Sequence, residues 1–224
     1  MKIEPHEVHI WSSSLALTQD QTKQYLAILS KDEQTRALQF HTMLHRERFI
    51  AARARLRQLL AGYLSSDPIQ INFSYNHYQK PFLPDTQLRF NLSHSDNLVL
   101  YAFTLNHEIG IDVEKIKPSY STLVAKRYFT ASENNELLGY EPLEANIAFY
   151  RTWSRREAII KAMGKGIFQY PPFSVSTLAI NETILIENQA WSLMPVNTQT
   201  GFQAALASNQ MIAQVVYQHY DRER

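Results

Sequence analysis

The chain contains no cysteine among its 224 residues. Disulfides, thiolate nucleophiles and cysteine metal sites are therefore excluded, and a cytoplasmic location is the expectation. Zinc is poorly served for a second reason, because no His-Glu-x-x-His or comparable spacing occurs. Long apolar runs are also missing. No uncharged stretch approaches the ~20 residues that span a bilayer. The segment from Met1 to Trp11 carries acids rather than an apolar core, so no signal peptide is expected. Charge of one sign is lacking too: 22 lysines and arginines face 21 acids, a formal net charge of +1. That balance provides no global field for nucleic acid or an anionic membrane, so neither is an expected partner and any anion site must be local. With 45% apolar and 19% charged residues, the composition is that of a soluble globular protein. The length allows one sizeable core or two small ones.

Several elements are legible in order. Glu7 to Trp11 reads as a short strand. Thr18 can cap a helix running to Ser30, and Ser30 with Glu33 has the form of a capping box opening a second helix toward Phe40. His45 to Leu64 reads as an amphipathic helix whose stripe is bordered by five arginines. For most of them snorkelling at the surface is the simpler reading, while one border could face a polyphosphate. Pro68 to Phe73 reads as a strand, and Asn76 to Asp85 as a loop. Leu88–Leu92 and Asn97–Leu105 alternate as strands on either side of Ser93-His94-Ser95-Asp96. Thr130 with Glu133 makes another capping box, and Leu143 to Met163 a long helix. Beyond Pro171-Pro172 the pattern predicts antiparallel strands of a second sheet at 173–175, 184–186, 190–194, 201–207 and 211–217.

Two clusters bear chemistry. Trp153, Glu157 and Lys161 recur at helical spacing on one face, ahead of a Gly164-Lys165-Gly166 stop. An ordinary core anchor with an ion pair is the plainer alternative. Asp112 and Glu114, in Gly110-Ile-Asp-Val-Glu114, share one side of a strand. Carboxylates from a strand and a helix make an oxygen-rich site suited to magnesium, which keeps waters and takes phosphates as further ligands. His94 between two serine hydroxyls suits an anion better than a metal.

Taken together, Phe90-Asn-Leu-Ser93-His94-Ser95, Gly110-Ile-Asp112-Val-Glu114 and Trp153-Ser-Arg-Arg156-Glu157-Ala-Ile-Ile-Lys161 with Gly164-Lys-Gly166 resemble the Sfp-type 4′-phosphopantetheinyl transferases. Arg48 and Gln79-Lys80-Pro81 match more weakly, and the likeness fades after about residue 175. The resemblance implies an α+β fold of two similar halves related by a pseudo-two-fold, each a small antiparallel sheet packed with helices. The halves would be residues 1–106 and 107–224, with coenzyme A in the cleft between them. It implies that a serine of an apo acyl or peptidyl carrier protein attacks the β-phosphate of coenzyme A and releases 3′,5′-adenosine bisphosphate. Asp112, Glu114 and Glu157 would hold Mg²⁺ (or Mn²⁺). Lys161, His94 and Ser93 would meet the phosphates, and Arg48, Arg53, Lys80 and Pro81 the 3′-phosphate and adenosine end. Glu157, Lys161 and His94 would be catalytic, with Glu157 a candidate base acting directly or through water.

A monomer is expected, since two halves in one chain complete the cleft. Lys115, Lys117, Lys126 and Arg127, with Tyr128 and Phe129, would suit an acidic carrier or a solvated helix edge alike. Three departures from the family pattern stand out: Arg156 where lysine is usual, Gln79 where glycine is common, and Asp32 and Glu33 in a segment usually basic, which removes Lys31 and Arg36 from the expected contacts. A non-catalytic coenzyme A or carrier-binding module, or a metal-dependent phosphodiesterase, remains the alternative on the residues alone.

Overall fold

A computed structural model describes residues 1–166 and 173–220. Its first half runs β1 (Glu7–Ser14), α1 (Gln19–Ile28), α2 (Lys31–Leu38), α3 (Met43–Leu64), β2 (Ser74–Tyr75), β3 (Pro81–Phe82), β4 (Leu88–Ser95) and β5 (Leu98–Leu105). The second runs β6 (Ile109–Lys115), α4 (Thr122–Tyr128), α5 (Ala131–Leu138), α6 (Pro142–Met163), β7 (Glu182–Ile186), β8 (Gln189–Pro195), β9 (Phe202–Ser208) and β10 (Gln214–His219). The architecture is α+β, with strand orders β10-β1-β5-β4 and β6-β9-β8-β7 in the two main sheets and a small β2-β3 pair. Among the described residues no helix is long and apolar enough to cross a membrane.

The same local chemistry opens both halves. Ser30 and Glu33 cap α2 reciprocally, and Thr130 and Glu133 cap α5 in the same way. Each box leads into a 22-residue helix, α3 or α6. Helix α3 closes one core against Phe90, Val99, Tyr101 and Phe103 of the first sheet. Helix α6 closes another against Trp191, Leu193, Ala205 and Ala207 of the second. A third cluster joins the sheets, with Ile10, Leu100, Ile111, Val113 and Leu206 buried together.

The two sheets meet where β4 runs alongside β6. Asn91 Oδ1 accepts from the Ile111 amide at 2.9 Å, and Ser95 Oγ accepts from the Lys115 amide at 3.0 Å. Alternate side chains of β4 thus do what a backbone ladder would do elsewhere. Against β6 the helix α6 comes unusually close, because Gly110 has no side chain. A Cβ there would overlap the Ala158 carbonyl and the Ala162 amide.

Some expectations differ from the fold. Pro68 opens a 3₁₀ turn, Pro68–Gln70, capped by Asp67, rather than a strand; proline at the first helical position loses no needed donor. Strand β4 runs through Ser93-His94-Ser95 without a break, and residues 173–175 form no strand. The largest difference is β10. It pairs with β1, in parallel and in the first sheet, Glu7 opposite Gln214 through Ser12 opposite His219. Pro171-Pro172 lies outside the described residues. Three of the five α3 arginines, Arg53, Arg55 and Arg57, are buried rather than snorkelling. Glu33 explains two of them, with its oxygens 3.3 Å from Arg53 Nε and 2.6 Å from Arg57 Nε. Arg55 donates to the Ser14 carbonyl.

Candidate active site

Three elements converge at the seam between the sheets. Strand period places Ser93 and Ser95 of β4 opposite Asp112 and Glu114 of β6. Ser93 Oγ donates to Asp112 Oδ1 at 2.8 Å, and Ser95 Oγ to Glu114 Oε2 at 3.0 Å. Helical period brings Trp153, Glu157 and Lys161 of α6 over the same seam. Lys161 Nζ lies 2.6 Å from Asp112 Oδ1 and 2.9 Å from Ser93 Oγ. Asp112 is 2% exposed and its second oxygen, Oδ2, is buried without a hydrogen-bond partner. Burial, then the Asp112 carboxylate, pushes the Glu114 pKa up to about 7, against partial relief from Ser95, Lys161 and Trp153. Two carboxyl groups are held close together there at a cost, an arrangement common at functional sites and in buried ion-pair networks alike.

The donor set suits a hard divalent cation in part. An orphaned buried carboxylate oxygen beside a carboxylate disfavoured as an anion would gain from such an ion. Magnesium commonly takes one or two carboxylates and completes its shell with water and phosphate. Glu157 is buried on the α6 face shared with Lys161. Even so, among the described residues no three His, Cys, Asp or Glu side chains form a group that could hold a metal ion.

Next to the carboxylates the polarity reverses. A cleft of about 290 Å³ is lined by Arg36, Phe49, Arg53, Ser93, His94 and Lys161. It adjoins a second of about 260 Å³, which shares Arg36 and Arg53 and adds Arg57, Tyr75 and Gln79 together with the acids Asp32 and Glu33. Arg53 Nη1 is buried without a partner, and burial lowers the Arg53 pKa. His94 lines the cleft with its side chain exposed. Desolvation, then the cations Lys161 and Arg48, hold its pKa below the ordinary value. Such a neutral ring offers one donor and one acceptor.

Of the remaining expected residues, Arg48 stands beside His94 at the edge of this cleft, while Lys80, Pro81 and Arg156 lie apart from it. Arg48 Nη2 donates to Asp96 Oδ1 at 2.8 Å. Lys80 Nζ contacts Glu108 Oε2, the Ile109 carbonyl and the Ala162 carbonyl at 3.1–3.2 Å, tying the end of α6 to β6. With Pro81 it lines a separate cavity of about 300 Å³. Arg156 spends Nη1 on both Glu133 oxygens at 2.9 Å and on the Phe173 carbonyl at 2.7 Å. Its departure from lysine therefore serves a buried structural pair. Gln79 adopts a left-handed φ of 64°, the conformation that glycine takes most freely. Arg36, set aside on the sequence because of Asp32 and Glu33, lines both clefts, and Ser95, read only as a neighbour of His94, bonds Glu114 instead.

Comparison with known proteins decides the family. Residues 108–209 match the 4′-phosphopantetheinyl transferase superfamily, and residues 13–106 match the N-terminal region of 4′-phosphopantetheinyl transferase. The 4′-phosphopantetheinyl transferase HetI of Nostoc sp. (strain PCC 7120) is 36% identical over 219 residues, 96% of this chain and 92% of that protein. The chain belongs to the 4′-phosphopantetheinyl transferase family. Sfp of Bacillus subtilis (strain 168) is 33% identical over 152 residues, 67% of each chain. AcpT of Escherichia coli O157:H7 is 36% identical over 126 residues, 55% of this chain and 61% of that protein. The protein is thus a transferase of a family that uses coenzyme A and acts on carrier proteins.

Proposed function

We propose that this transferase binds coenzyme A across the paired arginine-lined clefts and delivers phosphopantetheine to a serine of an apo acyl or peptidyl carrier protein. The observation that carries the reading is the junction of opposite polarities at Lys161. On one side stand Arg36, Arg53 and His94, able to hold phosphates, and on the other stand Asp112 and Glu114. Guanidinium forks match phosphate oxygens in pairs, and an ammonium supplies a point charge. Arg53 and Arg48 would hold the 3′-phosphate end, with Lys80 and Pro81 supporting the neighbouring wall. Ser93, His94 and Lys161 would hold the pyrophosphate. The chain would act as a monomer, halves 1–106 and 107–224 enclosing the ligand.

Asp112 and Glu114 would hold Mg²⁺ or Mn²⁺, with water and phosphate oxygens completing the shell, and Glu157 from α6 would stand beside the ion rather than as a preformed third ligand. When bound, the ion neutralises charge on the phosphates as the reaction proceeds. The serine oxygen forms a bond to the β-phosphorus while the bond from that phosphorus to the bridging oxygen breaks. The hydroxyl proton passes to Glu157, and 3′,5′-adenosine bisphosphate departs with the bridging oxygen. Lys161 sits where it can offset charge on the reacting phosphate while remaining anchored to Asp112.

The carrier would approach past the exposed Lys117, Lys126 and Arg127. The test is incubation with magnesium, coenzyme A and a panel of apo carriers, read by intact mass and by chromatography of nucleotide products. One phosphopantetheine per carrier with equimolar 3′,5′-adenosine bisphosphate is expected. Coenzyme A binding without bisphosphate release would instead mark a binding module.

A further inference from the structure

At the mouth of the cleft, one carboxylate outside the assigned set joins three elements. Asp96 opens the two-residue turn between β4 and β5 with a φ of 52°. One of its oxygens accepts from Arg48 Nη2 of α3 at 2.8 Å, and the other accepts from Lys115 Nζ at the end of β6. The turn itself is anchored: the Leu15 amide donates to the Asn97 carbonyl at 2.8 Å, and Asn97 Nδ2 donates to Ser14 Oγ at 2.8 Å. Asp96 is therefore presented to Arg48 from a fixed backbone.

We propose that Asp96 is a positioning residue that aims the Arg48 guanidinium at the coenzyme A phosphate and braces it, through Lys115, against the second half of the chain. The inference rests on the reading of Arg48 as a coenzyme A contact. A guanidinium carries its N–H donors in one plane, so fixing Nη2 orients all the others. Asp96 takes only that one nitrogen. Asp96 does not simply compete with the phosphate for Arg48. Its charge is shared with Lys115, so the Arg48–Asp96–Lys115 cluster keeps a net positive charge and still attracts an anion.

The backbone at Asp96 makes a clean test possible. At a left-handed φ glycine is tolerated without strain, so Asp96→Gly removes the carboxylate and keeps the turn. Asp96→Asn keeps an acceptor oxygen for Arg48 and loses the charge. Dissociation constants for coenzyme A and dephospho-coenzyme A, measured by calorimetry alongside kcat and KM, separate the roles. Asp96→Gly should raise Kd and KM for coenzyme A roughly two- to fivefold, the scale of a half-exposed ion pair, and leave kcat in place. Asp96→Asn should have a smaller effect, dephospho-coenzyme A should respond less than coenzyme A, and both variants should melt like the parent.

In an Arg48→Ala background Asp96→Gly should add nothing, because the residue acts through Arg48. An unchanged or tighter Kd in Asp96→Gly, or a loss that simply adds to that of Arg48→Ala, would overturn the proposal. A silent Arg48→Ala would overturn it equally. A parent protein that binds no coenzyme A at all would instead overturn the functional reading on which the proposal rests.

Discussion

The two long helices, α3 and α6, share length, setting and one buried contact, yet only α6 brings a carboxylate and an ammonium to the seam between the sheets. Arg57 and Arg156 are both the fifteenth residue of their 22-residue helix. Each is paired inside the protein with the glutamate of the preceding capping box, Glu33 or Glu133. One position further on, the helices part ways: α6 has Glu157 where α3 has Gln58, and four residues later Lys161 where α3 has Gly62. Gln58 accepts from the Tyr220 hydroxyl at 2.6 Å and serves the fold. The strands follow suit, β6 presenting Asp112 and Glu114 while the matching face of β1 offers His9 and Trp11, both bonded to Tyr63. The two halves thus have a long helix and a buried Arg–Glu pair in common and differ in the side chains set around them. The shared Arg–Glu pair belongs to the scaffold, and the proposed chemistry rests on the positions that differ.

The largest expected effects probe what is shared. Arg57→Met and Arg156→Met each leave a buried glutamate without its main cation. Each should destabilise by about 3–5 kcal/mol in urea titration, since an uncompensated buried charge is costly. Comparable losses in both halves would support the equivalence; a large loss in one and none in the other would break it.

Arg48→Ala probes what is particular to the first half. It should weaken coenzyme A by about 2 kcal/mol, at the lower end for truncating one member of a charged pair. Dephospho-coenzyme A, which lacks the 3′-phosphate, should lose less. Equal losses for both ligands would remove Arg48 from the 3′-phosphate.

A smaller effect is expected at Glu114. Its pKa of about 7 lies above the ordinary 4.5, so the folded state holds the proton more tightly than the unfolded state does. Stability is therefore full below about pH 4.5 and falls as pH rises toward 7. Glu114→Gln should raise Tm by a few degrees at pH 8 without metal and by little at pH 4.5. Magnesium should stabilise the parent at pH 8 more than the variant. Coincident melting curves at every pH would show that no such strain exists.

How much of this could be read beforehand depended on how local the cause was. The capping boxes at Ser30 and Thr130, the face shared by Trp153, Glu157 and Lys161, and the common side of Asp112 and Glu114 follow from spacing within a few residues. The pairing of β10 with β1 joins the ends of the chain, and nothing in the local pattern at 211–217 specifies a parallel partner 200 residues away. Arg53, Arg55 and Arg57 looked like surface residues because Glu33 and the Ser14 carbonyl, which make their burial tolerable, come from other elements. The tie that Lys80 makes to the Ile109 and Ala162 carbonyls was equally hidden, since those partners come together only once α6 has packed on Gly110. Arg36 was passed over because its acidic neighbours Asp32 and Glu33 suggested no anion site, whereas Glu33 turns inward to Arg57.

The claim that one half performs the chemistry is tested most directly by comparing Glu157→Gln with Gln58→Ala. Turnover of an apo carrier would be measured for both across a magnesium titration, with folding checked by thermal melt. Glu157→Gln should keep its fold and lose ~10²–10⁴-fold in rate, as expected when a general base is removed. Gln58→Ala should retain the parent rate with at most a modest loss of stability. A folded Glu157→Gln protein that turns over at the parent rate would contradict the assignment of the reaction to α6.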